Sequence, residues 1–153
     1  AAPERAALHR PGTTTRRGMT AMLTAQIPAL LALDDLALLL MRLLVGAVFI
    51  TSGWSHAKDP VARGKSVELP PGVTRALGIA EVAGGVGVAL GVLTQVAAIG
   101  LILVMLGAIQ KKIFVWKTGI WGKHGTDGWH YDLMLALMCL VIATTAGGRY
   151  VLT

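Results

Sequence analysis

Four stretches of this chain are apolar over roughly the thickness of a bilayer and bounded by charge, which constrains the fold more than any other feature. They cover about residues 36–56, 76–93, 96–115 and 131–146. Crossing some 30 Å of hydrocarbon takes about 20 mostly apolar residues in helical form, because only a helix satisfies its own backbone there. None of the runs carries the polar face that a soluble helical bundle would need. With 54% hydrophobic and 14% charged residues among 153, the chain is expected to be a single all-α, integral membrane four-helix bundle. The bundle would occupy residues 34–153, behind an extended N-terminal tail over 1–33.

An even number of spans returns the chain to the side it left. The tail, the turn at Thr94-Gln95 and the C-terminus then share side A, while residues 57–75 and 116–130 share side B. Eight Lys and Arg residues fall on side B, from Lys58 to Lys123, against Arg149 and four tail arginines on side A. That bias places side B in the cytoplasm. The net charge of +6 reflects these flanks and their attraction to anionic lipid, so no nucleic-acid partner is expected. All four tryptophans, Trp54, Trp116, Trp121 and Trp129, also fall on side B, where amphipathic rings favour the headgroup region. With Lys58 they read as interface anchors, and a one-sided set is equally compatible with a docking surface or ligand mouth. The single cysteine, Cys139, leaves no disulfide or Cys-x-x-Cys pair and reads as a small core residue.

The first twenty residues are polar, basic and punctuated by Pro and Gly, a composition that reads as disordered and that becomes ordered by lying along a partner. Residues 19–33 read as a short apolar helix at the membrane surface or against a neighbour, with Asp34 and Asp35 leading into the first span.

Charges inside spans cost several kcal/mol on insertion scales of roughly 2.5–3.5 kcal/mol each, so each needs a partner or a purpose. Arg42, Gly46, Phe49, Gly53 and His56 follow a helical 3-4 spacing and form one inward stripe. Arg42 either snorkels to side A headgroups or joins an internal ion pair. Glu81 shares its stripe with Gly78 and Gly85, small residues that let helix backbones approach, so its carboxyl should face the bundle, protonated or paired. Arg42, His56 and Lys58 are its candidate partners. Asp132 heads a stripe of Ala136, Cys139 and Ala143; it either complements the helix dipole or serves the site. Because four span ends lie on side B, Ser52, His56, Glu81, Gln110 and Asp132 are expected to converge there. Such a group suits a quinone headgroup or proton relay, or a polar plug that fixes helix register. His56, His124 and His130 share a side without metal-ligand spacing, so no metal site is expected.

The assembled pattern resembles the DoxX family of small four-span bacterial membrane proteins. The resemblance lies in "RLLVGAVFITSGWSHAKDP", in "GIAEVAGGVGVALGVLTQVAAIGLILVMLGAI" with Glu81 before a glycine pair, and in "HYDLMLALMCLVIATTAGGRYVL" with an acid near its start. It spans about residues 36–152. It implies a bacterial inner-membrane location and a link to membrane redox chemistry, with Arg42, His56, Glu81 and Asp132 at the family's recurrent polar positions. The last acid is often Glu in the family, the exit "AGGRYVLT" departs from a Gly-Pro-Gly-like end, and the long tail lies outside the pattern.

Two functions follow. The first is an accessory subunit of a membrane electron-transfer complex, contacting quinone or lipid, binding no cofactor covalently, with residues 1–33 on a partner subunit. The second is a stand-alone quinone-linked oxidoreductase of the thiosulfate:quinone type. A small-molecule transporter is a weaker third, since no pair of broken helices offers an alternating site.

Overall fold

A computed structural model describes residues 27–123 and 126–152. The chain divides into two compact units, Ala1–Asp34 and Asp35–Thr153. In the first, Pro28–Leu33 forms a 3-10 helix that opens on proline and exposes Leu30, Leu31 and Leu33. The rest of the expected surface helix, and the tail before it, lie outside the described residues.

In the second unit, helix α1 (Asp34–Lys58) carries the first apolar run to its end. It stops because Pro60 bars a helical residue before it. Asp59 then accepts a hydrogen bond from Ala62 N through its side chain at 3.1 Å and caps a new helix, α2 (Pro60–Val67). An Asp at the cap with Pro at the first helical position is a favoured start. The connection over 57–75 thus holds α2 and the first turn of α3 (Pro71–Leu90). Helix α3 begins at Pro71, five residues before the expected 76, again with proline supplying an N-terminus.

A tight turn joins α3 to α4 (Thr94–Phe114). Gly91 closes α3 at φ +76°, and Leu93 also adopts a left-handed conformation. Beyond α4, Gly122–Lys123 (β1) and Thr126–Asp127 (β2) form a two-residue antiparallel ladder. Gly128 seals its base, since a Cβ there would collide with Ile120 O and Gly122 N. Helix α5 (His130–Thr144) completes the bundle.

Three stretches, Pro28–Lys58, Pro71–Leu90 and Thr94–Phe114, are long and apolar enough to cross a membrane, while α5 is a shorter apolar helix of 15 residues. At about 1.5 Å per residue α5 spans some 22 Å. The fourth run, expected over 131–146, is this short helix, displaced by one residue at its start and two at its end. The chain is an all-α membrane protein.

The long helices pack antiparallel, α1 against α3, α3 against α4 and α4 against α5, and small residues set the spacing of the first two seams. A Cβ built on Gly53 would meet Gly78 O at 2.5 Å, and one on Gly46 would meet Gly85 O at 2.8 Å, so α1 and α3 touch backbone to backbone. Gly84 faces Leu101 and Gly87 faces Ala97 across the α3–α4 seam. Gln95 Nε2 donates to Ala143 O at one end of the α4–α5 seam. Between helices already in lipid, close van der Waals packing supplies most of the attraction. The core is formed by Val45, Phe49, Val88, Ala98, Leu101, Met105, Leu135, Ala136, Cys139, Ile142 and Ala143.

Candidate functional site

Arg42 is fully buried, so it does not snorkel. The N–H ladder at the end of α3 stops at Gly87 O, which receives both Gly91 N and Val92 N. The next two carbonyls, Val88 and Ala89, accept from Arg42 Nε at 2.8 Å and Nη2 at 3.0 Å. Its Nη1 donates to Gly147 O at 3.2 Å and Tyr150 O at 2.6 Å. The cation thus answers helix-terminal carbonyls and sits at the negative end of the α3 dipole. It ties the end of α3 to the segment after α5. On side A, Asp35 accepts from Arg149 N at 2.8 Å and pairs loosely with its guanidinium at 3.4 Å.

At the opposite end of the bundle Glu81 is buried and pairs with His56, Nδ1 to Oε2 at 2.8 Å. The glycine contact between Gly53 and Gly78 brings these side chains within reach, since each stands one turn from its glycine on the same stripe. Of the three partners expected for Glu81, His56 makes the bond, Arg42 serves the carbonyls and Lys58 is exposed.

Asp132, also buried, comes from the first turn of α5 and meets Lys112 of α4, Nζ to Oδ2 at 2.7 Å. The approach lies off the hydrogen-bonding direction, so Oδ2 accepts no hydrogen bond among the described residues. The contact is Coulombic.

Ser52, His56, Glu81, Gln110 and Asp132 all line a cavity of about 660 Å³. Its walls are otherwise mostly apolar, with Leu77, Leu103, Val104 and Met105 inside and Val67 and Leu69 at the roof. Lys111 Nζ donates to Val67 O and Glu68 O, the carbonyls that end α2, and so holds this roof. Apolar walls with a few convergent polar groups, at a volume of roughly 300–1,000 Å³, are the usual form of a small-molecule site.

The tryptophans divide. Trp54 and Trp121 are largely exposed, as interface anchors are, and Trp121 lies 5.1 Å from the His130 ring. Trp129 is half-buried. Trp116 is half-buried and lines the cavity, with Lys111 Nζ 6.0 Å from its ring centroid. His130 is held by Ile120 O, which lies 2.8 Å from its Nδ1, and faces the hairpin. His124 lies outside the described residues. Among the described residues no group of three or more His, Cys, Asp or Glu side chains is placed to hold a metal ion.

Sequence reasoning missed the roof residues Val67, Leu69 and Lys111. The Asp59-Pro60 pair, an N-cap before an N1 proline, was the signal for the helix that carries the roof.

Comparison with curated proteins and with solved structures gives no match. The DoxX family model matches residues 37–116, just over half of the chain. The match takes in α1 to α4 with Arg42, His56 and Glu81, and stops before Asp132. By that match, the chain belongs to the DoxX family.

Proposed function

We propose that this DoxX protein is an accessory subunit of a membrane electron-transfer assembly in the bacterial inner membrane, and that it contacts quinone through the side B cavity. The observation that carries the reading is the cavity itself. It offers an apolar volume of about 660 Å³ with two titratable pairs, His56–Glu81 and Lys112–Asp132, on its walls. A quinone supplies two ring oxygens that take up two protons as two electrons arrive. The residues present fit such a ring. His56 and Glu81 are joined by a 2.8 Å hydrogen bond, Ser52 supplies a hydroxyl, and the leucines and Met105 accept an apolar tail.

The electrons would come from a redox-carrying partner subunit, because the chain's single cysteine offers neither a dithiol nor a cluster ligand set. The basic residues of 57–75 and 116–130 favour a cytoplasmic position for side B, where such a partner would dock beside Trp54 and Trp121. Residues 1–33 are assigned to the partner's surface. A second reading, a stand-alone quinone-linked oxidoreductase, draws on the same two titratable pairs.

Native mass spectrometry of the protein released from its own membrane in mild detergent separates the two. Co-release with redox subunits and a quinone-sized mass supports the accessory reading. A lone protein or homo-oligomer carrying that mass favours the stand-alone enzyme, and absence of the mass from every species removes the quinone from both.

A further inference from the structure

A second cavity, of about 370 Å³, opens between α1 and α5. Its polar lining is Thr51, Ser52, Ser55, Arg63, Tyr131 and Asp132. Arg63 Nε donates to Ser55 Oγ at 2.7 Å and holds the guanidinium at its side B mouth. This cleft shares three residues with the larger cavity, Ser52, Met105 and Asp132. They form the partition between the two.

Within that partition Asp132 is the ionisable group. Its Oδ2 is buried and accepts no hydrogen bond among the described residues. Lys112 meets it from α4 at 2.7 Å, Arg63 of α2 and its neighbour Tyr131 line the cleft with it, and His56 and Glu81 line the larger cavity with it.

We propose that Asp132, assisted by the Ser52 hydroxyl, carries protons between side B water in the cleft and the ligand cavity. The inference rests on the quinone reading above and assigns the proton route to that site. As a ring oxygen is reduced with electrons from the redox-carrying partner subunit, the Asp132 carboxylate takes up a proton from cleft water; the O–H bond so formed then breaks as one forms on the ligand, and the carboxylate is restored. The His56–Glu81 pair serves the other ring oxygen. Lys112, 2.7 Å away, stabilises the carboxylate left after each transfer.

Two measurements test this. The first asks whether the cleft is wet, and needs no ligand. In a Cys139→Ala background, Thr51→Cys and Leu106→Cys are placed at similar distances, seven and eight residues, from the side B ends of α1 and α4. Leu106 is an exposed apolar residue of α4, and thiols react as thiolates, which form in water. A membrane-impermeant thiol reagent should label Thr51→Cys about tenfold faster or more than Leu106→Cys. Equal, slow labelling overturns the route.

The second is redox-difference infrared spectroscopy of the full assembly in nanodiscs with its bound quinone. A carboxylate stretching band should vanish in Asp132→Asn and return, shifted, in Asp132→Glu, with quinone content retained in both. Quinone bands with the carboxylate signal unchanged in Asp132→Asn overturn the relay and leave the quinone reading standing. No quinone bands in the wild-type assembly overturn both.

Discussion

Arg42 Nε donates to Val88 O across the α1–α3 seam at 2.8 Å, forty-six residues away in sequence. With the three other carbonyls it serves, this makes a cation the fastener of the side A end. Charge-assisted hydrogen bonds contribute about 1.5–3 kcal/mol each, and unmade carbonyls inside a bundle are costly. Arg42→Met should therefore destabilise the protein by about 3 kcal/mol or more. Arg42→Lys should fall between, because an ammonium has three donors for four carbonyls. Thermal unfolding in detergent or nanodiscs, read by circular dichroism, gives the order. A methionine variant as stable as wild type would show that the carbonyls find other partners.

The glycine contacts predict a contrast within one residue type. Gly78→Ala places a Cβ 2.5 Å from Gly53 O and should cost about 1–3 kcal/mol by forcing α1 and α3 apart. Gly100→Ala meets nothing within 4 Å and should be neutral or stabilising by up to about 1 kcal/mol, because alanine is the better helix former. Paired unfolding curves of the two variants test whether the close seam, and not glycine content, holds the bundle. Equal shifts would refute it.

Glu81→Gln keeps the size and an acceptor for His56 but gives up the carboxyl proton. Its stability should stay within about 1 kcal/mol of wild type, while quinone-linked turnover of the assembly falls by about 100-fold, the scale of a lost acid–base group. Glu81→Leu should lose stability as well, because His56 is left without its partner. Full turnover in the glutamine variant would remove Glu81 from proton handling.

At the roof, Asp59→Ala removes the side-chain cap of α2 and should cost about 1 kcal/mol, confined to that helix. Lys111→Met releases the carbonyls of Val67 and Glu68 at the other end. Hydrogen exchange should speed up over residues 60–69 in both variants and leave α4 and α5 unchanged. Exchange unchanged in both would mean that the roof is held by its apolar contacts alone.

The sequence made the membrane class legible, because apolar length answers directly to bilayer thickness. It also made the inward stripes of α1 and α3 legible, since a 3.6-residue period puts Arg42, Gly46, Phe49 and Gly53 on one face. It placed the end of the short α5 two residues late, because the apolar run continues past the helix to Ala146 and hydropathy does not mark where hydrogen bonding stops. Helix α2 was hidden for the opposite reason: its composition is polar, and only the Asp59-Pro60 cap announces it.

Pairings were decided by tertiary structure. Periodicity turned Arg42 and Glu81 inward but left open whether they met each other, lipid or backbone. The packing depth of Gly53 on Gly78 selected His56 for Glu81, and the unanswered carbonyls of α3 claimed Arg42. Likewise the position of Asp132 between two cavities depends on how far α5 stands from α1, a distance set by side-chain volumes from several helices at once. The sequence alone determined which residues had to be taken out of lipid, because solvation is a property of each side chain. Their partners required the fold, because contact is a property of pairs.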